Sequence, residues 1–301
     1  MKKLIAILLV LCFVLCGCAP QKETTKAEKI KQEATQIIKE KKPINKKPVV
    51  DKVPVEETTA PTEIPEETSI NYFNKDTEFE FEYVHSDDYT SLSYSFISPV
   101  EEPDYPMPLI VFLHGQGEVG YGESGYTTRS LTRIFSNWEL TPFNAYVICP
   151  SLRSGGWAGP YLKDQLQKTL DIFISNHNVD TNKIIICGHS LGGIGTQYMA
   201  YELQDYFSAQ TIISGYGVAT DLTQIKIPTR AYVGQKSFGE DPNSEKYTMT
   251  RLKDVFGEEA IFSLETSHVF ALKMAFTLDE DKNGCSDLLE WMFSQSKEKQ
   301  N

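Results

Sequence analysis

The chain has 301 residues and carries 29 Lys and Arg against 41 Asp and Glu, a formal net charge of −12. This acidic balance argues against nucleic acid as a partner, because phosphate backbones bind basic surfaces. The length, with 41% hydrophobic residues, is sufficient for one α/β domain with a sizeable core.

The first 18 residues have the pattern of an export signal. Lys2 and Lys3 form a positive start, and residues 4–15 form an apolar run that is too short to span a membrane. Residues 15–18 read Leu-Cys-Gly-Cys, which resembles the bacterial lipobox and implies that Cys18 is the lipidated first residue of the mature protein. We therefore expect a lipid-anchored protein on the extracellular face of the cell membrane. An ordinary signal peptide cleaved elsewhere is the alternative.

Residues 19–70 have the composition of a disordered tether. They are rich in Lys, Glu, Thr and Pro and have too little apolar surface to offset the entropy lost on ordering. The leader contributes +2, and the ten lysines of the tether cancel its ten acids, so that residues 71–301 carry −14 of the total charge. These residues form the predicted folded domain, for which a monomer is the default expectation.

The predicted elements of this domain change in character along the chain. Residues 78–85 and 92–98 alternate polar and apolar side chains, which predicts an antiparallel hairpin at the edge of a sheet. The later strands are continuous apolar runs, as expected for strands buried on both faces of a parallel sheet. They are predicted at 109–113, 145–149, 183–187, 210–214, 229–233 and 260–264.

Helical patterns alternate with these strands. They lie at about 127–138, 162–174, 192–206, 244–256, 269–277 and 287–297. An alternation of strands and helices that follows an antiparallel start predicts a three-layer, doubly wound α/β fold with a mostly parallel sheet. In such sheets the functional residues collect at the carboxyl ends of the strands.

Residues 184–193 read Ile-Ile-Ile-Cys-Gly-His-Ser-Leu-Gly-Gly and contain a Gly-x-Ser-x-Gly pattern between a predicted strand and a predicted helix. A tight turn at this place would strain the backbone of Ser190 and expose its hydroxyl. The helix that follows would direct N–H groups and its positive dipole end at an anion formed there. We predict a nucleophile elbow with Ser190 as the nucleophile and His189 pointing away from it. A structural glycine turn is the alternative.

A glycine-rich segment, Leu-His-Gly-Gln-Gly-Glu-Val-Gly at residues 113–120, follows the first central strand. The backbone N–H groups of Gln116 and Leu191 are predicted to form an oxyanion hole beside the nucleophile. His114 lies too early in the chain to be the expected base, so we expect it to shape the turn. Glu118 is expected either to contact substrate or to brace the loop.

A serine near neutral pH needs a base within hydrogen-bond reach to act as a nucleophile. His268 follows the last predicted strand and fits the chain order serine, acid, histidine. The acid is expected after the strand at 229–233, and Asp241 is the first choice. The alternatives are Glu240, Glu245 and Asp221.

These segments together resemble the α/β-hydrolase superfamily, and within it the secreted branch of predicted peptidases, polyhydroxybutyrate-depolymerase-like and feruloyl-esterase-like proteins. The resemblance extends from about residue 108 to 292 and rests on residues 113–120, 149–157, 179–184 and 188–196. It implies the α/β-hydrolase fold and a Ser-His-Asp acyl-enzyme mechanism that requires no cofactor.

Two positions matter when this family is compared with the chain. The family usually has Gly-x-x-Asp directly after the strand that precedes the acid, whereas Ser237 occupies that aspartate's place here. The identity of the acid therefore stays open. Trp157 matches a position near the mouth of the active site, so it is expected either to contact substrate or to pack a loop.

The resemblance and the site residues together predict a hydrolase of carboxylic esters. The expected substrates are small-molecule esters or esters linked to polysaccharide. The sequence has no long apolar insertion that could serve as the lid of a lipase. A serine peptidase of the same fold is one alternative, and a non-catalytic surface lipoprotein that uses the scaffold for binding is another.

Residues 279–290 fit the template of a calcium-binding loop. The oxygen-bearing side chains at its ligand positions are Asp279, Asp281, Asn283, Asp287 and Glu290. Ser286, however, occupies a position that is usually apolar. The alternative is an Asn-Gly turn followed by a helix that a serine caps. A calcium ion held here would have a structural role.

Overall fold

The computed structural model describes residues 70–87, 89–120, 134, 140–215, 217, 220–237 and 245–300, all within one unit of the chain, Glu67–Asn301. The predicted leader, Cys18 and almost all of the tether lie outside the described residues. So does the helix predicted at 127–138, apart from Ile134, which is helical and buried. Within the described ranges, no helix is both long and apolar enough to cross a bilayer.

The strands of the described residues form a single sheet. They are β1 Phe79–Val84, β2 Tyr94–Pro99, β3 Met107–Leu113, β4 Tyr146–Pro150, β5 Val179–His189, β6 Ala209–Ile213, β7 Thr229–Gly234 and β8 Ile261–Leu264. Their order across the sheet is β1-β2-β4-β3-β5-β6-β7-β8. β2 is antiparallel to β1 and to β4, and the remaining neighbours are parallel. The predicted parallel sheet with an antiparallel N-terminal hairpin at its edge is thus confirmed.

Helices cover both faces of this sheet. Those in the described ranges are α1 Pro160–Asn176, α2 Leu191–Glu202, α3 Glu245–Phe256, α4 His268–Thr277 and α5 Asp287–Ser294. Successive side chains of a strand point to opposite faces. Accordingly Ile184 and Ile186 of β5 pack in the core layer with α1 and α2, whereas Ile185 and Cys187 pack in the layer with α4 and α5. This arrangement is the predicted three-layer α/β fold.

β5 is longer than its apolar run predicts, because it begins at Val179 rather than at residue 183. Its pairing with β3 shifts in register, with Met107 opposite Val179 but Leu109 opposite Ile184. The extra residues between are polar, so their hydrophobic pattern does not indicate a strand. At its other end the strand stops at His189, directly before Ser190.

The parallel strands place their carboxyl ends at one edge of the sheet, where ligand sites of such folds form. The segments that follow β3, β5, β7 and β8 therefore meet there. A hydrogen bond of 3.0 Å from Lys236 N to Thr266 O joins the loop after β7 to the loop after β8. The described parts of the segments predicted to carry the catalytic residues are at this edge.

Candidate functional site

Ser190 lies in a strained turn between β5 and α2. Its backbone has φ 58° and ψ −118°, a positive φ that is uncommon for a residue with a Cβ. Such conformations cost of order 1–3 kcal/mol and persist only where the surroundings impose them. Here Ser190 N donates to Ile213 O at 2.9 Å, and Ser190 O accepts from Ile194 N at 3.2 Å. The elbow conformation predicted from the sequence is present.

Two glycines allow this turn to pack directly on the end of β3. A Cβ at Gly192 would lie 1.8 Å from Leu113 O, and one at Gly188 would lie 2.5 Å from Gly192 O. Both neighbours are backbone atoms that cannot rotate away. Without side chains at these two positions, the first turn of α2 can lie against the loop that follows β3.

The segments that carry the two predicted oxyanion donors meet at the elbow. Leu191 is the first residue of α2, and Gln116 begins a short 3₁₀ turn, Gln116–Glu118. N–H groups at the start of a helical turn have no acceptor within that turn. A Cβ at Gly115 would lie only 3.6 Å from Ser190 Cβ, so the loop passes beside the nucleophile. The role of these two amides as an oxyanion hole stays a prediction.

His114 is an internal brace of this loop. It is buried, its Nδ1 lies 2.9 Å from Gly115 O, and its Nε2 accepts from Leu152 N at 3.0 Å. Because Nε2 is an acceptor, the ring proton lies on Nδ1 and is donated to the Gly115 carbonyl. Burial lowers the pKa of His114, which keeps the ring neutral. These contacts give it the turn-shaping role expected from the sequence.

Trp157 packs inside the protein, 1% exposed. Its Nε1 donates to His114 O at 2.9 Å, and its ring meets the His114 ring edge to face with centroids 5.0 Å apart. A Cβ at Gly195 of α2 would lie 2.2 Å from Trp157 Cβ. Of the two alternatives for Trp157, the structure therefore supports loop packing. The expectation that Trp157 contacts substrate is wrong, because the ring is enclosed by the loop and α2.

Glu118 brings a carboxylate close to the elbow. Its side chain is half-buried, and its Oε2 lies 3.6 Å from where a Cβ of Gly115 would be. The same Cβ position is 3.6 Å from Ser190 Cβ. Glu118 is thus placed both to brace the loop and to meet a substrate, and both alternatives remain.

His268 begins α4 and lies beside the elbow. Its ring centroid is 5.0 Å from that of His189, and His189 Nε2 lies 3.0 Å from His268 O. The predicted base and the residue before the predicted nucleophile are therefore in direct contact, although 79 positions separate them in the chain. The sequence placed His189 away from Ser190 but did not identify this contact. The alternation of side chains along β5 is the signal that could have found it.

The loop after β7, where the acid is expected, runs next to the segment that carries His268. A Cβ at Gly234 would lie 2.8 Å from Ser267 O. Asp241 and Glu240 lie outside the described residues, as does the side chain of Glu245, the first residue of α3. The described start of this loop therefore lies against Ser267, the neighbour of His268, and the identity of the acid stays a prediction.

Asp221, the remaining alternative, is engaged in its own turn. Its Oδ1 accepts from Thr223 N at 3.1 Å and from Thr223 Oγ1 at 2.7 Å. These hydrogen bonds stabilise the carboxylate and lower the pKa of Asp221. Its capping of the short turn Leu222–Gln224 argues against a role beside His268.

In the expected calcium loop, Asp279 and Glu290 accept hydrogen bonds from donors of the loop itself. Asp279 Oδ1 and Oδ2 accept from Asn283 N at 3.0 Å and Gly284 N at 2.9 Å, and Glu290 Oε1 accepts from Asn283 Nδ2 at 2.8 Å. Ser286 Oγ caps α5 by accepting from Leu289 N. Among the described residues, which include all of 279–290, no cluster of three or more His, Cys, Asp or Glu could hold a metal. The serine cap of the alternative, a turn followed by a Ser-capped helix, is present, and the calcium site at Asp279, Asp281, Asn283, Asp287 and Glu290 stays a prediction.

Comparison with known proteins matches no family model and no curated protein. Solved structures match at low identity. A thermostable esterase is 21% identical over 73% of this chain and 63% of that chain, with a TM-score of 0.47, so the chain spans less than two thirds of its length. An S-formylglutathione hydrolase (FrmB) from Staphylococcus aureus is 14% identical over 74% of this chain and 100% of that chain, with a TM-score of 0.49.

A third structure, described as FAE, is 15% identical over 75% of this chain and 91% of that chain, with a TM-score of 0.50. Similarity at such identities shows a shared fold and no more. The α/β architecture of this chain is thus one that solved proteins adopt. What the chain does has to be argued from its own site.

Proposed function

We propose that this protein is a serine hydrolase that cleaves carboxylic esters through an acyl-enzyme. The observation that carries the proposal is the strained backbone of Ser190, at φ 58° and ψ −118° between a buried strand and a helix. Strain of this kind is retained where a serine has to be presented to a substrate. The immediate contact between His189 and His268 supports the second part of the proposal, a base beside the nucleophile.

In the proposed mechanism Ser190 Oγ attacks the acyl carbonyl while His268 accepts its proton. The carbonyl oxygen becomes an oxyanion and is stabilised by the N–H groups of Gln116 and Leu191. His268 then returns the proton to the leaving alcohol, and the acyl group stays on Ser190. Water, activated by His268, releases the acid and restores the serine. Asp241 is proposed to hold the His268 ring in the required tautomer.

Labelling with a fluorophosphonate tests the nucleophile directly. We expect the wild-type protein to be labelled and the Ser190→Ala variant to remain unlabelled while folded. Ser214→Ala is the matched control, because Ser214 also has a positive φ, 46°, and follows the neighbouring strand β6. It should be labelled like the wild type. A folded wild type without label would instead support the non-catalytic binding protein.

A substrate panel tests the reaction class. p-Nitrophenyl, feruloyl, acetyl-xylan and peptide substrates should separate small esters, polysaccharide-linked esters and peptides. We expect turnover of esters, abolished in Ser190→Ala and reduced in Asp241→Asn. Cleavage of peptides without cleavage of esters would replace the proposal by a serine peptidase.

We further propose that a lipid on Cys18 anchors the protein to the extracellular face of the cell membrane, where it acts as a monomer. The anchor is supported by the sequence alone, through the apolar run and the Leu-Cys-Gly-Cys ending of residues 15–18, and the monomer is the default assumption. Radiolabelled palmitate should enter the wild type but not the Cys18→Ala variant. Equal labelling of both would refute the anchor.

A further inference from the structure

The inference concerns His189, the residue between the end of β5 and the proposed nucleophile. Side chains two apart on a strand share a face. Ile185 and Cys187 of β5 pack in the core layer that contains Ala271 and Leu272 of α4. The next residue of this series, His189, therefore points toward the start of α4 and away from the side on which α2 packs.

The contact that His189 makes there shows which of its ring nitrogens carries a hydrogen. Its Nε2 lies 3.0 Å from His268 O, and a carbonyl oxygen can only accept. Nε2 therefore carries a hydrogen and donates it. The two rings lie alongside each other, with centroids 5.0 Å apart and planes inclined by 44°. The bond is made to the main chain of His268, so it restrains the backbone from which the base projects.

The residues before His268 are restrained by backbone hydrogen bonds of their own. Thr266 O accepts from Lys236 N at 3.0 Å, which joins the loop to the end of β7. Ser267 O accepts from Ala271 N at 2.9 Å within the first turn of α4. The contact from His189 links this segment to the elbow itself. This hydrogen bond therefore restrains the position of the proposed base, His268, relative to the proposed nucleophile, Ser190.

We propose, on the basis of the proposed function above, that His189 is a positioning residue that holds the first turn of α4, and with it His268, against the elbow. Ser190 is the neighbour of His189 in the chain, so a bond from His189 fixes the base to the strand end that presents the nucleophile. Proton transfer requires heavy atoms about 2.6–3.2 Å apart. A displacement of about 1 Å can therefore reduce the rate by about two orders of magnitude.

Two substitutions separate this hydrogen bond from simple packing. His189→Phe keeps a ring of similar size but removes the donor, whereas His189→Gln keeps an amide N–H that can reach the carbonyl. His177→Phe is the matched control. The His177 ring stacks on Phe173 at 4.2 Å beyond the opposite end of β5, far from the elbow along the strand.

The measurements are the rate of fluorophosphonate labelling, and kcat and KM for a p-nitrophenyl ester, with melting temperatures as a check on folding. We expect His189→Phe to lower kcat and the labelling rate about tenfold to a hundredfold, with KM changed by less than about twofold. His189→Gln should recover most of both rates, and His177→Phe should match the wild type. If His189→Phe does not fold, His189→Asn, which is polar but too short to reach the carbonyl, takes its place.

The outcomes distinguish this inference from the proposed function. Wild-type activity in His189→Phe, or equal losses in the Phe and Gln variants, would overturn the positioning role while the hydrolase proposal stands. A loss confined to KM would also overturn it. A wild-type protein that neither takes the label nor turns over any ester would overturn both proposals together.

Discussion

Gly192→Ala should disable the elbow, because no space exists for one additional methyl group. The new Cβ would lie 1.8 Å from Leu113 O, 2.5 Å from Leu113 C and 2.8 Å from His114 O. Cβ atoms essentially never approach a non-bonded heavy atom of another part of the chain within 3.0 Å, and the obstacles here are backbone atoms. The start of α2 therefore has to move away from the end of β3 by about 1 Å, and the proposed oxyanion donors separate with it.

We expect this shift to lower the rate of fluorophosphonate labelling by about a hundredfold, and overpacking to lower the free energy of unfolding by about 3 kcal/mol. Labelling kinetics and urea denaturation measure the two effects. Gly117→Ala is the matched control in the opposing loop, because a Cβ there meets nothing within 4 Å. It should change the labelling rate by less than about twofold. Wild-type labelling in Gly192→Ala, or an equal loss in Gly117→Ala, would refute the reasoning.

Three further substitutions test individual contacts. Burial lowers the pKa of His114, so below about pH 6.5 the unfolded protein binds a proton that the folded protein does not. The free energy of unfolding therefore decreases as the pH is lowered. His114→Gln should remove up to about 1.4 kcal/mol of that loss per pH unit below about pH 6.5 in urea titrations, and identical slopes would contradict this. Trp157→Phe removes the donor to the buried His114 carbonyl, and calorimetry should show the stability reduced by about 2 kcal/mol; an unchanged melting temperature would argue against that bond. Asp279→Ala loses two backbone hydrogen bonds and should lower the melting temperature by about 3 °C equally in calcium and in EDTA. A loss that depends on calcium would instead support the predicted metal site.

Local patterns predicted most of the sheet correctly. The strand predicted at 109–113 lies within β3, Met107–Leu113, and the one predicted at 229–233 lies within β7, Thr229–Gly234. Both are continuous apolar runs, which report burial on two faces wherever they occur. β5 exceeds its prediction because residues 180–182 are polar and lie where its pairing with β3 shifts in register, between Val179 opposite Met107 and Ile184 opposite Leu109. A register depends on the neighbouring strand, so no local pattern indicates it.

The part of the site that depends on neighbouring residues was also predictable from the sequence. The conformation of Ser190 follows from short-range sterics among Gly188, Ser190 and Gly192, and it is present as expected. The direction of the Trp157 ring does not follow from its neighbours in sequence. The glycines around it permit either an exposed or a buried ring. The ring is buried because Gly195 of α2 has no side chain and leaves space for it.

The loop at 279–290 shows what a pattern of residue types leaves undecided. Its side chains match a calcium template in type and spacing, yet Asp279 and Glu290 bond to donors within the loop. The template specifies which residues can bind an ion. It does not specify whether their oxygens converge on one point, which depends on how the loop folds against its neighbours.

The sequence by itself determined the α/β class, the antiparallel start and the turn that strains Ser190, because periodicity and steric exclusion act over a few residues. Only the tertiary structure decided the strand order, the enclosure of Trp157 and the contact between His189 and His268. That contact joins residues 79 positions apart. It exists because the first residue of α4 lies beside the carboxyl end of β5, a relation that depends on the whole sheet.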